Sequence, residues 1–232
     1  ITFFVNTVSH IPALLVLVWM LATVWNLREP FRTMGDLLIW LANPRRIPFY
    51  VGIRIVRSLV APLIRMVAAI FVKRTIIGKF EPGPRDTESE WQLIRHELAA
   101  SLFTRENMQG VTEIIGRHHG LVSVLYRLLG AKVGERVFWP GRQPVFTGEF
   151  DLLEIGDDVV FGSRSSLICT TVDSCEKIIL CAGSNVSDNT VILPGSILGK
   201  GAVLGSNSVC PEGRYLPESS VWFGSRGGEP VL

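Results

Sequence analysis

The chain has 232 residues, a formal charge of +2, 47% hydrophobic residues and 19% charged residues, with a mean hydropathy of +0.33. Soluble domains usually carry about a quarter charged residues, so this chain is apolar, and the excess sits in its first eighty residues. The small net charge, with no basic motif interleaved by aromatics, argues against a nucleic-acid partner. Four cysteines, Cys169, Cys175, Cys181 and Cys210, include no CxxC pair. They are too sparse for a disulfide scaffold and lack metal-ligand spacing, so no metal is expected. Three lie six apart, and they read as small buried residues in a reducing compartment.

Residues 1–27 contain no Lys, Arg, Asp or Glu. Ile11 to Trp25 is almost wholly apolar, and a spanning helix needs about 20 such residues. Trp19 and Trp25 suit one interface, and Arg28 and Arg32 suit a cytoplasmic C-terminal end. No charged n-region or cleavage site marks a signal peptide. The chain opens on Ile1, which reads as a piece of a longer or processed polypeptide.

Residues 37–80 mix apolar residues with recurring Arg and Lys. On a helical wheel Arg46, Arg54, Arg57, Arg65 and Lys73 share one half, opposite Val51, Ile55, Val60, Ile64, Val67 and Phe71. A helix of this kind lies in the headgroup plane of an anionic leaflet, and that is preferred to a second span because arginine is costly at bilayer depth. Pro48 fits a helix start, and Pro62 predicts a kink or break. Phe80-Glu-Pro-Gly-Pro84 is a hinge. Asp86 to Trp91 then reads as a helix start, with helices over 88–104 and 110–129 ending at Gly130.

From Leu180 the sequence divides into sixes that begin at Leu180, Val186, Ile192, Leu198 and Leu204. The first position is always aliphatic. The fifth is always small: Ser184, Thr190, Ser196, Ala202, Ser208. The same frame holds at Ile155, Phe161 and Leu167, with an outlying copy at Val133. Six residues make a short strand and a corner, and three such units make a triangular coil of eighteen. The aliphatic residue points inward and stacks on its equivalent one coil away, while Gly and Asn accept the φ values of the corners. Each coil buries its faces only against neighbours, so the repeat must be consecutive. The frame gains one residue between Asp173 and Leu180. It gains four between Val133 and Ile155, around Trp139–Pro144 and Gly148–Asp151. Such insertions become loops, where function is usually attached. The expected class is therefore mainly β, a left-handed parallel β-helix over 131–232. Membrane-associated helices over 1–80, one spanning and one basic and amphipathic, and a helical connector over 81–130 precede it.

The run Tyr126-Arg-Leu-Leu-Gly-Ala-Lys-Val-Gly-Glu-Arg-Val137, the hexapeptides and the tail Leu216 to Gly224 together resemble the hexapeptide-repeat acyltransferases over about 120–224. Apolar helices, Trp91, Leu-Leu-Gly-Ala-Lys and Phe150-Asp-Leu-Leu-Glu-Ile-Gly-Asp-Asp-Val-Val-Phe-Gly-Ser163 more narrowly resemble the C-terminal membrane region of nonribosomal-peptide-synthetase-like proteins of the poly-lysine-synthase type. The narrow resemblance implies membrane lipid and upstream domains as partners. The broad one implies a homotrimer and transfer of an acyl or aminoacyl group to an amine from a thioester of coenzyme A or carrier-bound phosphopantetheine.

The resemblance also implies a histidine general base in or beside the coils, yet no histidine follows His119. Ile168-Cys-Thr-Thr-Val-Asp173 places Thr170 where the base would stand, and threonine cannot take that role at neutral pH. His118 and His119, which can fold over the first coil, are the remaining candidates for the base. Asp151 and Asp173, at the loops, are the candidate carboxylates. Lys200 and Arg226 are the candidates for a pantetheine or nucleotide phosphate. His96, between Arg95 and Glu97, reads as solvated, and His10 as structural. The competing reading is a prism without its base that serves trimerisation, docking or anchoring.

Overall fold

The computed structural model describes residues 33–44, 47–85, 89–115, 118–141, 144–146, 148–226 and 229–231, with scattered residues between 5 and 19. Most of the predicted spanning segment, from Ile11 to Trp25, lies outside the described residues. The chain divides into two compact units, Ile1–Ala68 and Ala69–Leu232.

The first unit is helical where described. Helix α1 spans Met34–Leu41 and α2 spans Ile47–Ile55. A π-helical turn, Val56–Val60, joins α2 to α3, Ala61–Val72. No break occurs at Pro62. A proline cannot donate to the carbonyl one turn back, and the π turn just before it takes up the unmatched group by widening the helix. Because π turns bond five residues apart, they also shift the wheel. Ile47, Val51, Ile55, Leu59, Leu63 and Val67 are the exposed apolar row, at steps of four, whereas Val60 and Ile64 are half-buried. Arg54 and Arg57 are exposed as expected. Among the described residues one helix, Tyr50–Ile77, is long and apolar enough to cross a membrane.

The second unit begins within α3, and a further π-helical turn, Lys73–Ile77, follows. Strand β1 is Gly83–Pro84. Helix α4, Glu90–Leu102, starts at a capping box in which the Ser89 side chain and Gln92 satisfy each other's backbone donors. Helices α5, Arg105–Ile115, and α6, His119–Leu129, follow, and Gly130 ends α6 in the left-handed region at φ 115°.

From β2, Lys132–Val133, the chain winds into a left-handed, three-sided parallel β-helix, so the fold is mainly β as the period of six requires. One face stacks β2, β4 (Leu153–Ile155), β8 (Ile178–Leu180), β11 (Ile197–Leu198) and β14 (Tyr215–Leu216). The second stacks β3 (Val145–Phe146), β6 (Ser166–Leu167), β10 (Val191–Ile192) and β13 (Val209–Cys210). The third stacks β5 (Val160–Phe161), β9 (Asn185–Val186), β12 (Val203–Leu204) and β15 (Val221–Arg226). Partners in the regular part are eighteen apart, as in Val191↔Val209, Ile197↔Tyr215 and Val203↔Val221. An antiparallel pairing of β15 with β16, Glu229–Val231, closes the tail.

Each first-position side chain is inside: Val186, Ile192, Leu198, Leu204 and Leu216 are fully buried, and so are the small fifth positions Ser184, Thr190, Ser196, Ala202 and Ser208. The fourth position of the hexad carries the turn. Gly183, Asn189, Gly195, Gly201, Asn207, Gly213 and Ser219 all have positive φ, as do Arg136, Asp158 and Arg164 in the earlier coils. Glycine and asparagine tolerate that region, and Asn189 donates from Nδ2 to Oδ1 of Asn207 one coil on, at 2.8 Å.

The insertions fall partly where the spacing puts them. Val133↔Ile155 is twenty-two apart, the expected gain of four. The later one is larger than the sequence suggests. Phe161↔Val186 and Ser166↔Val191 are both twenty-five apart, so seven residues, not one, are inserted before β8. They form a hairpin in which Thr170 bridges Cys175, Glu176 N–H donates to Cys169 at 2.9 Å and Thr171 N–H donates to Ser174 at 2.8 Å. Strand β7, Ser174–Cys175, then pairs with β1. Six-residue spacing of Cys169, Cys175 and Cys181 hid this arm by imitating the repeat.

Candidate functional site

The insertion at Gly148–Leu152 is the richest chemical feature of the unit. Gly148 has φ 104°, and a Cβ there would lie 3.1 Å from the Ala99 backbone. Only glycine lets this loop approach α4 so closely. Phe150, which is fully buried, turns inward against Phe103, Tyr126 and Phe146 at ring separations of 5.2, 5.9 and 5.8 Å. Its two neighbours are thereby sent to two different partners, Glu149 to α4 and Asp151 to the π-helical turn.

Glu149 is 4% exposed and meets His96, which is 8% exposed. His96 Nδ1 and Glu149 Oε1 are hydrogen-bonded at 2.9 Å, with the imidazole N–H as donor in the Nδ1–H tautomer. The ring lies 4.4 Å from that of Phe80. Glu149 Oε2 is buried with no hydrogen-bond partner, an arrangement proteins rarely leave without a use. The expectation that His96 is solvated is therefore wrong. Its charged neighbours Arg95 and Glu97 point elsewhere, while His96 shares the buried row of α4 with Ala99 and Leu102.

Asp151 accepts from Lys73, which is 3% exposed, and from Phe80 N–H at 3.3 Å. Lys73 also donates to the Gly78 carbonyl at 2.6 Å and lies over the Phe80 ring at 4.4 Å. Lys73 is thus no part of a solvated basic stripe, because the carboxylate of the insertion draws it inside. Phe80 is the shared wall between the two pairs.

The other residues singled out in the sequence do not gather here. His118 precedes α6 and is exposed. His119 Nδ1 accepts from Trp139 N–H at 3.2 Å and its ring lies 4.7 Å from Phe138, so it does fold over the first coil, but as a backbone acceptor. Asp173 stands at the exposed tip of the hairpin, its carbonyl accepting from Arg85 N–H at 3.1 Å. Lys200 is an exposed corner residue whose carbonyl accepts from Ser219 N–H at 2.9 Å. The side chain of Arg226 lies outside the described residues. No His, Cys, Asp and Glu cluster able to hold a metal occurs among the described residues.

All four cysteines are free, and Cys169, Cys175 and Cys210 are buried. Burial, then the Glu149 carboxylate, then Cys175 push the Cys169 thiol up, and burial does the same to Cys210. A thiolate nucleophile at Cys169 is thus disfavoured. In the folded protein at about pH 8, iodoacetamide is expected to label Cys181 first, with the other three reacting only on unfolding. Peptide mass spectrometry over a labelling time course checks this, and early labelling of Cys169 would contradict the burial argument.

No family model matches the sequence, and no curated protein matches it. Solved structures do. A hexapeptide-repeat acetyltransferase from Vibrio cholerae is 16% identical, with 60% of this chain and 89% of that chain covered and a TM-score of 0.41. A second structure of that enzyme holds acetyl coenzyme A. A maltose O-acetyltransferase from Clostridium difficile is 13% identical over 66% of this chain and 91% of that one, with a TM-score of 0.42. The chain spans 63% of the length of a Bacillus cereus protein assigned as an acetyltransferase, at 18% identity, 41% of this chain and a TM-score of 0.31. At such identities no substrate or partner passes from those proteins to this one.

Proposed function

We propose that this chain is the membrane-associated, acyltransferase-like C-terminal region of a nonribosomal-peptide-synthetase-like protein. It moves an acyl or aminoacyl group from a thioester of coenzyme A or of carrier-bound phosphopantetheine to an amine. The observation that carries the reading is the enclosed His96–Glu149 pair, formed between helix α4 and the insertion in the first coils of a hexapeptide β-helix. A carboxylate on Nδ1 fixes the imidazole tautomer, which makes Nε2 the basic nitrogen. The acceptor nitrogen attacks the thioester carbonyl, its proton passes to His96, the C–S bond breaks, and the proton goes on to the departing thiolate. Glu149 Oε2 supplies an acceptor for a second N–H of the incoming amine. Enclosure keeps water from competing for the thioester. The same reading includes a homotrimer about the β-helix axis, a bilayer partner for the N-terminal helices and a cytoplasmic β-helix.

The test is acyl transfer by the full-length protein from a loaded carrier to a panel of amines. His96→Asn is expected to lower turnover about 10²- to 10⁴-fold, the usual contribution of a positioned base, with carrier loading unchanged. Glu149→Gln is expected to displace the pH–rate profile, which a purely structural role would leave in place. Unchanged turnover in His96→Asn would sink this assignment in favour of a β-helix that serves only as a scaffold for oligomerisation, docking or anchoring.

A further inference from the structure

A cavity of about 370 Å³ opens beside the Lys73–Asp151 pair, lined by Arg74, Lys79, Leu128, Leu129 and Gly130. Its charges are unequal. Lys73 and Asp151 neutralise each other at the floor. The carbonyl of Leu128, at the end of α6, already accepts from Arg74 Nε at 3.3 Å. Arg74 and Lys79, both exposed, stand at the mouth with no carboxylate partner among the described residues. Arg95, whose guanidinium donates to the Lys79 carbonyl and lies 5.2 Å from the Phe80 ring, adds to the field.

Apolar surface leads away from the cavity. Along α6, Leu128, which lines it, Val124 and Leu121 are exposed at 41, 44 and 55%, and Phe71, three residues before Arg74, is 66% exposed. Spacing of three and four puts those α6 residues on one stripe. A basic mouth with exposed Leu, Val and Phe on the same helices suits one kind of ligand, a phosphate carried on an apolar body. A free nucleotide would gain nothing from the stripe, and a neutral lipid nothing from Arg74 and Lys79.

We propose that this cavity binds the phosphate headgroup of an anionic membrane phospholipid. Arg74 and Lys79 hold the phosphate oxygens, and Phe71 and the α6 stripe enter the acyl region. Arginine and lysine engage phosphate by charge-assisted hydrogen bonds, and basic residues at an anionic leaflet add to apolar insertion. Gly130 keeps the cavity open: a Cβ there would lie 2.2 Å from Asp151 Oδ1, and its φ of 115° strains any other residue. The site rests on the membrane association proposed above but not on catalysis.

Native mass spectrometry of the full chain, released from detergent with added lipid, tests it. Phosphatidylglycerol is expected to be retained at least about tenfold better than dioleoylglycerol, which has the chains but no phosphate. Inorganic phosphate in millimolar excess should not displace it. Arg74→Gln with Lys79→Gln should abolish the preference while leaving the circular dichroism spectrum and the acyl-transfer rate in detergent unchanged. Equal retention of both lipids by the native chain, displacement by inorganic phosphate, or a preference that survives the double substitution would overturn the proposal. A native chain that keeps the preference but shows no acyl transfer would instead count against the catalytic reading alone.

Discussion

Leu198→Ala is expected to cost about 2–5 kcal/mol of stability, the range for emptying a core site that cannot collapse. Leu198 is fully buried and stacks between Leu180 and Leu216 on one face of the β-helix. Ladder hydrogen bonds fix the coil spacing, as from Cys181 N–H to Leu198 at 2.9 Å and from Gly199 N–H to Leu216 at 2.8 Å. Neighbouring coils therefore cannot close around the missing atoms. A solenoid coil touches only the coils beside it, so a weak coil lowers the cooperativity of the whole stack. Tyr215→Ala makes the control, because Tyr215 is next to Leu216 but 53% exposed. That change is expected to stay within about 0.5 kcal/mol. Urea unfolding of both variants, followed by circular dichroism in mild detergent, decides the matter. Equal losses would mean that interior stacking is not what holds the coils.

The period of six was readable because the same environment recurs: every first position faces the same interior, and selection for an aliphatic side chain repeats with it. The fourth position was only half readable. Gly and Asn announce a left-handed corner, but Arg136, Arg164 and Ser219 adopt it too, carried by the ladders on either side. The seven-residue arm was masked by Cys169 and Cys175, which are buried for reasons unrelated to the repeat. The two buried pairs were hidden by distance. His96 and Glu149 are fifty-three residues apart, and Lys73 and Asp151 seventy-eight, so no local pattern joins them. One signal was present: His96 lies three and seven residues before Ala99 and Phe103, which places it on the inward side of α4 despite its charged neighbours. The four-residue gain near Gly148 also marked the loop that supplies both carboxylates.

Removing one member of a buried ion pair is worse than removing both, and Lys73–Asp151 is suited to that test. Lys73 is 3% and Asp151 13% exposed, so Lys73→Met leaves a largely buried carboxylate whose remaining partner among the described residues is the Phe80 N–H. The expected loss is about 3–5 kcal/mol, from uncompensated charge and not from lost volume, since methionine fills most of the space. Asp151→Asn should restore a large part of that when added to Lys73→Met, because a neutral amide tolerates burial and still accepts from Phe80 N–H. The double-mutant cycle isolates the pair from its surroundings. Surface pairs set the contrast. Glu154, whose carboxyl is held below its usual range by Lys177 and then Lys132, faces lysines that are 40 and 71% exposed, and Lys132→Met should change stability by less than about 1 kcal/mol. Thermal unfolding of the full chain in detergent reads all of these. A Lys73→Met variant as stable as the native chain would show that the insertion is held by its aromatic packing alone, with Asp151 free to serve another purpose.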